Sequence, residues 1–138
     1  MIVLDTNVLS EFMIHVPDAR VVRWLNSQPR SSVWTTSISV YEIRSGLLAM
    51  PAGRRQAALS SVFERLLNST IEGRIAVFDT AAAERAAELE AAAQKRGRPR
   101  DPRDTMIAGI VLASHATLST RNAKHFEDIA KSVVNPWV

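Results

Sequence analysis

Three apolar residues open the chain after Met1 (Ile2, Val3 and Leu4) and stop abruptly at an acid, Asp5. A run this short, and rich in β-branched side chains, is the mark of a strand buried on both faces, which places it inside a parallel sheet covered by helices. The same kind of run recurs as "SVWTT", "RIAVF" and "ATLST", each separated from the next by longer stretches with helical spacing. Alternation of this sort specifies the α/β class and a central parallel sheet flanked by helices, an α/β/α sandwich. In open sheets of that class the strand ends open onto a ligand crevice. Asp5 is therefore expected to point into a site.

The helices can be read between the strands. "NVLSEFM" follows the first strand with Thr6 or Asn7 near its N-cap, and a second helix follows Pro17 with Val21, Val22 and Leu25 on one face. Residues 37–50 and 54–70 form two more, broken at Pro51 and Gly53. Asp79 or Thr80 caps an Ala-rich helix that ends at Gly97. The next start is marked most sharply, with Asp101 as N-cap, Pro102 at the first helical position and Asp104 at the third. Its body is apolar or small, so it is expected to be buried, with Gly109 allowing close approach. "NAKHFEDIA" reads as a short helix and "SVVNPWV" as a last short strand. With 138 residues, no repeat and no linker, residues 1–138 are expected to form a single domain.

Three acids fall where such a fold can gather them. Asp5 ends strand one, Glu42 lies near the start of the helix after strand two, and Asp104 lies in the first turn of the buried helix. Strand ends and helix starts share one rim of a parallel sheet, so the three carboxylates can converge. Clustered carboxylates repel, and a hard divalent cation relieves that; oxygen ligands favour Mg²⁺ or Mn²⁺. A site of this kind suits hydrolysis of a phosphodiester. Each acid also has a plainer reading: a cap for Asp5, a solvated surface residue for Glu42, a helix-dipole partner for Asp104.

Other chemistries find less support. The absence of cysteine removes disulfides, thiolate catalysis and Cys-type zinc sites. His15, His115 and His125 lack zinc-pair spacing, and His115 reads as a packed residue or a dipole partner at a helix end. Trp24, Trp34 and Trp137 read as core or interface anchors. Arg supplies 14 of the 17 basic residues at a net charge of +3, with the densest run at "QKRGRPRDPR". Guanidinium forks match phosphate geometry, although such a run is also what a solvated loop looks like. With no apolar stretch long enough for a membrane span and no signal peptide, a cytoplasmic location is expected.

"IVLDTNVLSE", "SVYEIRSG", "DTMIAG" and "LSTRNAKHFED", in this order and at this spacing, resemble the motifs of PIN-domain proteins. The similarity spans nearly the whole chain and is nearest the VapC-type ribonuclease toxins, in particular the FitB-like branch, to which the closing "VVNPW" also fits. The resemblance implies a PIN-like fold and Mg²⁺-dependent endonuclease cleavage of RNA. Asp5 and Asp104 become the principal metal ligands, Glu42 the third acid, and Thr6 a residue that steadies the site by hydrogen bonding. Many relatives carry a fourth acid where this chain has Asn122, and His125 replaces a nearby Asp; Asn122 is then an accessory ligand or water-positioning group. The resemblance further implies a homodimer and a small cognate antitoxin that covers the groove and itself binds operator DNA. Arg98, Arg100, Arg103 and Arg121 are the candidates for phosphate contact. Two rival readings are a catalytically weak PIN fold that binds RNA or protein, and a receiver-like signalling domain. The second needs an acceptor Asp and a matching Lys that the chain does not supply in a convincing pair.

Overall fold

The computed structural model describes residues 1–138. Its centre is β1 (Ile2–Leu4), with β2 (Val33–Thr36) on one side and β4 (Thr117–Ser119) on the other. β3 (Ile75–Ala76) and β5 (Val133–Val134) form the edges, giving the order β3-β2-β1-β4-β5 with every pair parallel. Successive side chains of a strand point to opposite faces. Val3 accordingly joins a core with Ile107, Val111, Leu118 and Phe126, while Leu4 joins one with Val8, Leu9, Val21 and Phe63. Val3 and Leu4 have no solvent exposure, which is why the run carries no polar residue until it ends.

The Leu4 face is covered by α1 (Thr6–Glu11), α2 (Ala19–Asn26), α3 (Ser37–Ala49) and α4 (Arg54–Arg65). The opposite face carries α5 (Thr80–Lys95), α6 (Pro102–Ala113) and a 3-10 segment, Ala123–Ser132. This is the expected sandwich. α6 starts as its sequence requires: the Asp101 carboxylate accepts from the Arg103 and Asp104 amides, at 2.9 and 3.2 Å, with Pro102 at the first position. α5 and α6 pack closely at Gly109, where a Cβ would lie 2.4 Å from the Ala82 carbonyl oxygen and 2.8 Å from the Ala86 Cβ. No helix is long and apolar enough to cross a membrane.

Several elements differ from the sequence expectation. Asp5 itself, not Thr6 or Asn7, is the N-cap of α1, because its carboxylate already accepts from the Thr6 amide. The helix expected over 54–70 ends at Arg65 and widens into a π-helical turn, Leu66–Ile71, closed by left-handed Glu72 and Gly73. β3 is shorter than "RIAVF" because the Asp79 amide turns back to the Val77 carbonyl, 2.9 Å away. The segment after Asn122 is 3-10 rather than α-helical and is kinked at Phe126 and Ile129. β5 stops at Val134, where Asn135 and Pro136 turn the chain. His115 is exposed in a left-handed conformation just past α6, so it is neither packed nor a helical residue.

Candidate active site

The C-terminal end of β1 delivers Asp5 to the rim, where its amide still donates to the Ser119 carbonyl, 2.9 Å away, as the last rung toward β4. The side chain is buried, with Oδ1 accepting from the Thr6 amide at 2.8 Å. Oδ2 accepts from the Thr120 hydroxyl at 2.7 Å and from the Asn7 amide group at 3.3 Å. Burial pushes the Asp5 carboxyl up to about 6; the Thr120 and Thr6 bonds pull it down, and the nearby Asp104 and Glu42 charges add to the rise. Asp5 is thus both the cap of α1 and an acid strained by burial.

Glu42 arrives from the other neighbour of β1. β2 runs directly into α3, and the second turn of that helix places Glu42 beside α1, where Oε1 accepts from the Thr6 hydroxyl at 2.8 Å. Thr6 Oγ1 also lies 3.0 Å from the Ser39 hydroxyl, so the expected steadying role of Thr6 has a concrete geometry. Glu42 is not an ordinary solvated residue, for its other oxygen, Oε2, faces Arg103 Nη1 at 3.6 Å. Asp104, half-buried at the start of α6, has Oδ2 3.2 Å from His125 Nδ1. Burial raises the Asp104 carboxyl, Asp101 adds to the rise, His125 opposes it and Glu42 adds a little more.

Asp5, Glu42, Asp104 and Asn122 line a single open pocket of about 440 Å³, in which Ile14 is the one hydrophobic wall. The acids expected to meet do share a cavity, but no three His, Asp or Glu side chains close around one point as a preformed metal cage. Their oxygens are held by Thr6, Thr120, Arg103 and His125. Asn122 enters through its backbone, with its amide donating to the Thr120 hydroxyl at 3.0 Å.

The four arginines separate. Arg100 is not available to a phosphate. Its side chain is 7% exposed, pairs with Asp128, donates from Nε to the Thr105 hydroxyl at 3.1 Å and lies over the Phe126 ring. Arg98 is exposed and 3.6 Å from Glu127, Arg103 reaches Glu42, and Arg121 stacks its guanidinium 5.1 Å from the centre of the Trp137 ring. Sequence reasoning missed Thr120 and Asn7. Thr120 is buried and touches Asp5, Asn7 and Asn122 at once, and Asn7 also accepts from the Arg121 amide at 3.1 Å. A signal existed: pairing of Leu4 with Ser119 puts the next residue of each strand, Asp5 and Thr120, side by side.

A family model described as "PIN domain" matches residues 2–132. The chain belongs to the PIN-domain family. This PIN domain is 36% identical over 137 residues to "Plasmid stability protein StbB" of Pseudomonas syringae pv. tomato, covering 99% of each chain. It is equally similar, 36% over 137 residues, to "VapC ribonuclease Y4jK" of Sinorhizobium fredii, covering 99% of this chain and 98% of the other. Among solved structures, a chain of FitAB bound to a DNA fragment superposes with a TM-score of 0.89 at 33% identity, over 100% of this PIN domain and 96% of that chain.

The donor chemistry of the pocket fits a hard divalent cation. Four carboxylates line it, Glu11 of α1 joining Asp5, Glu42 and Asp104, supplemented by the Asn7 and Asn122 amides and two hydroxyls, and His125 is the one imidazole within reach of the acids. The buried Asp5 carboxylate gains most, since its neighbours donate hydrogen bonds but no full positive charge touches it.

Proposed function

We propose that this PIN domain is a metal-dependent endoribonuclease, the toxin of a type II toxin–antitoxin pair, which hydrolyses RNA phosphodiester bonds at the pocket lined by Asp5, Glu42 and Asp104. The observation that carries the reading is the convergence of these three acids, from β1, α3 and α6, in one open polar pocket. Similarity to a protein named VapC ribonuclease over nearly all of both chains supports the same activity.

Asp5, Glu42 and Asp104 would hold Mg²⁺, or Mn²⁺ in its place. When bound, the cation supplies a water of lowered pKa and offsets charge on the leaving oxygen. The protein's own share is orientation. Thr6 fixes one Glu42 oxygen, Thr120 fixes Asp5, and Asn122 lines the pocket wall, where its side-chain carboxamide can direct a water or a phosphate oxygen. Arg98 and Lys124 border a second polar cleft of about 610 Å³ that shares Asp104 with the first, a path for single-stranded RNA beyond the cleavage point. Residues 1–138 act as one domain, as a homodimer in the cytoplasm, held in check by a cognate antitoxin that brings the pair to operator DNA.

Expression without the antitoxin should arrest growth, and Asp104→Asn should relieve the arrest while the purified variant remains folded. Purified wild type should cleave RNA with Mg²⁺ and stop when the ion is chelated. Equal toxicity of wild type and Asp104→Asn, with no chelator-sensitive cleavage, would favour a PIN fold that binds RNA or protein without cutting it.

A further inference from the structure

Arg103 sits on the acids rather than beside them. It occupies the first turn of α6, one residue before Asp104, and its guanidinium crosses to α3, 3.6 Å from Glu42 Oε2 and 5.4 Å from the centre of the Tyr41 ring. Glu42 Oε1 is already taken by the Thr6 hydroxyl. The less engaged oxygen, and so the more open to an incoming cation, is the one that Arg103 faces. Half of the Arg103 side chain is exposed, and exposed Tyr41 offers the guanidinium a stacking surface that needs no contact with Glu42.

We infer that Arg103 is a phosphate-contacting residue that the free protein parks on Glu42 Oε2, and that a divalent cation and Arg103 compete for that oxygen. Arg103 and the cation cannot both sit at bonding distance from one oxygen without like-charge repulsion. Loading of the cation releases the guanidinium, which remains tethered at the edge of the pocket by α6 and Tyr41. There the fork meets the charge of the RNA backbone, a partner whose geometry it matches. Arg100, three residues before Arg103, cannot serve, because Asp128, Thr105 and Phe126 already hold its side chain. The inference rests on the ribonuclease reading, and it predicts effects of opposite sign from one substitution.

Arg103→Gln should bind Mn²⁺ about two- to fivefold more tightly than wild type by titration calorimetry without RNA, the gain expected from removing an exposed ion-pair competitor. In an Asp5→Asn background, which suppresses cleavage, Arg103→Gln should weaken binding of a fluorescein-labelled, mixed-sequence single-stranded RNA 14-mer. It should also lower the salt slope of that binding by about 0.7, the value for one lost phosphate contact on a single strand. Arg103→Lys should restore most of the salt slope. Arg85→Gln, which removes the same charge at a surface pair on α5 (3.4 Å from Glu88), should change neither measurement. Melting curves establish that each variant is folded, and should Arg103→Gln not fold, Arg103→Met, which also removes the charge, carries both arms. Unchanged or weaker Mn²⁺ affinity in Arg103→Gln would overturn the competition, and an unchanged salt slope would overturn the phosphate contact. Wild type that binds neither Mn²⁺ nor RNA would remove the ribonuclease reading and this inference together, whereas normal wild-type binding with a silent Arg103→Gln would remove the inference alone.

Discussion

Asp5→Asn should make the metal-free protein more stable at neutral pH, although it removes a residue at the centre of the proposed site. The folded carboxyl titrates at about 6, against 3.8 in a free chain. Below pH 4 both states hold the proton and burial costs nothing electrostatic. Between pH 4 and 6 the unfolded chain ionises while the folded one retains its proton, so stability falls as pH rises. Above pH 6 the loss is complete, at about 3 kcal/mol from the size of the shift. Asn has nearly the same shape, caps a helix equally well and carries no charge. It gives up one acceptor at Oδ2, where the Thr120 hydroxyl and the Asn7 amide both donate, a cost of about 1 kcal/mol. The net expectation is a variant about 1–2 kcal/mol more stable than wild type at pH 8, with the advantage gone at pH 4. Asp104 is raised in the same direction but is present in both proteins and cancels. Urea denaturation in excess chelator, followed by circular dichroism between pH 4 and 8, measures the difference. A wild type at least as stable as Asp5→Asn at pH 8, or a gap that ignores pH, would refute the account of Asp5 as an acid strained by burial.

Thr120→Val should destabilise the fold by about 1–3 kcal/mol in urea, because the Asn7 and Asn122 donors lose their shared acceptor, and should move the Asp5 window to higher pH. Asn122→Asp should strengthen Mg²⁺ binding in calorimetry and lower the chelated melting temperature, since a further carboxylate attracts the ion and repels the other acids; wild type should titrate with one tight ion. Gly109→Ala should cost about 1–3 kcal/mol in equilibrium unfolding, because its methyl group would meet the α5 backbone at 2.4 Å.

The parts of this fold that were legible in the sequence are those whose local chemistry and tertiary role agree. β1 reads as buried because both its faces are buried, and α6 announces itself through Asp101, Pro102 and Asp104 because those residues satisfy its first amides. The π-helical turn was not legible: Leu67 and Ile71 keep the four-residue spacing of an α-helix while the backbone beneath them widens. Nor was the kinked 3-10 segment legible, for Phe126 and Ile129, its buried residues, are the positions at which the backbone leaves helical geometry. At the site, strand-end logic brought Asp5, Glu42 and Asp104 to one rim, but it could not foresee Arg103 crossing to Glu42 or Arg100 turning into the core. Those are contacts set by tertiary packing, with Glu42 and Asp128 both distant in sequence from the arginines they meet, and for Arg100 by the need to pair a buried charge.

The position of β1 between β2 and β4 has a consequence for how such a protein comes into being. Asp5 leaves a ribosome long before the strand that supplies its backbone acceptor, Thr117–Ser119, and the hydroxyl that holds its carboxylate, Thr120. A nascent chain synthesised only as far as α6 has β1 as an open sheet edge, Asp5 without its Thr120 donor, and no Asn122. The pocket can close only after the far end of the sheet has been made. Strand order thus delays assembly of the pocket until β4 and Thr120 have followed all the helices that build its other walls.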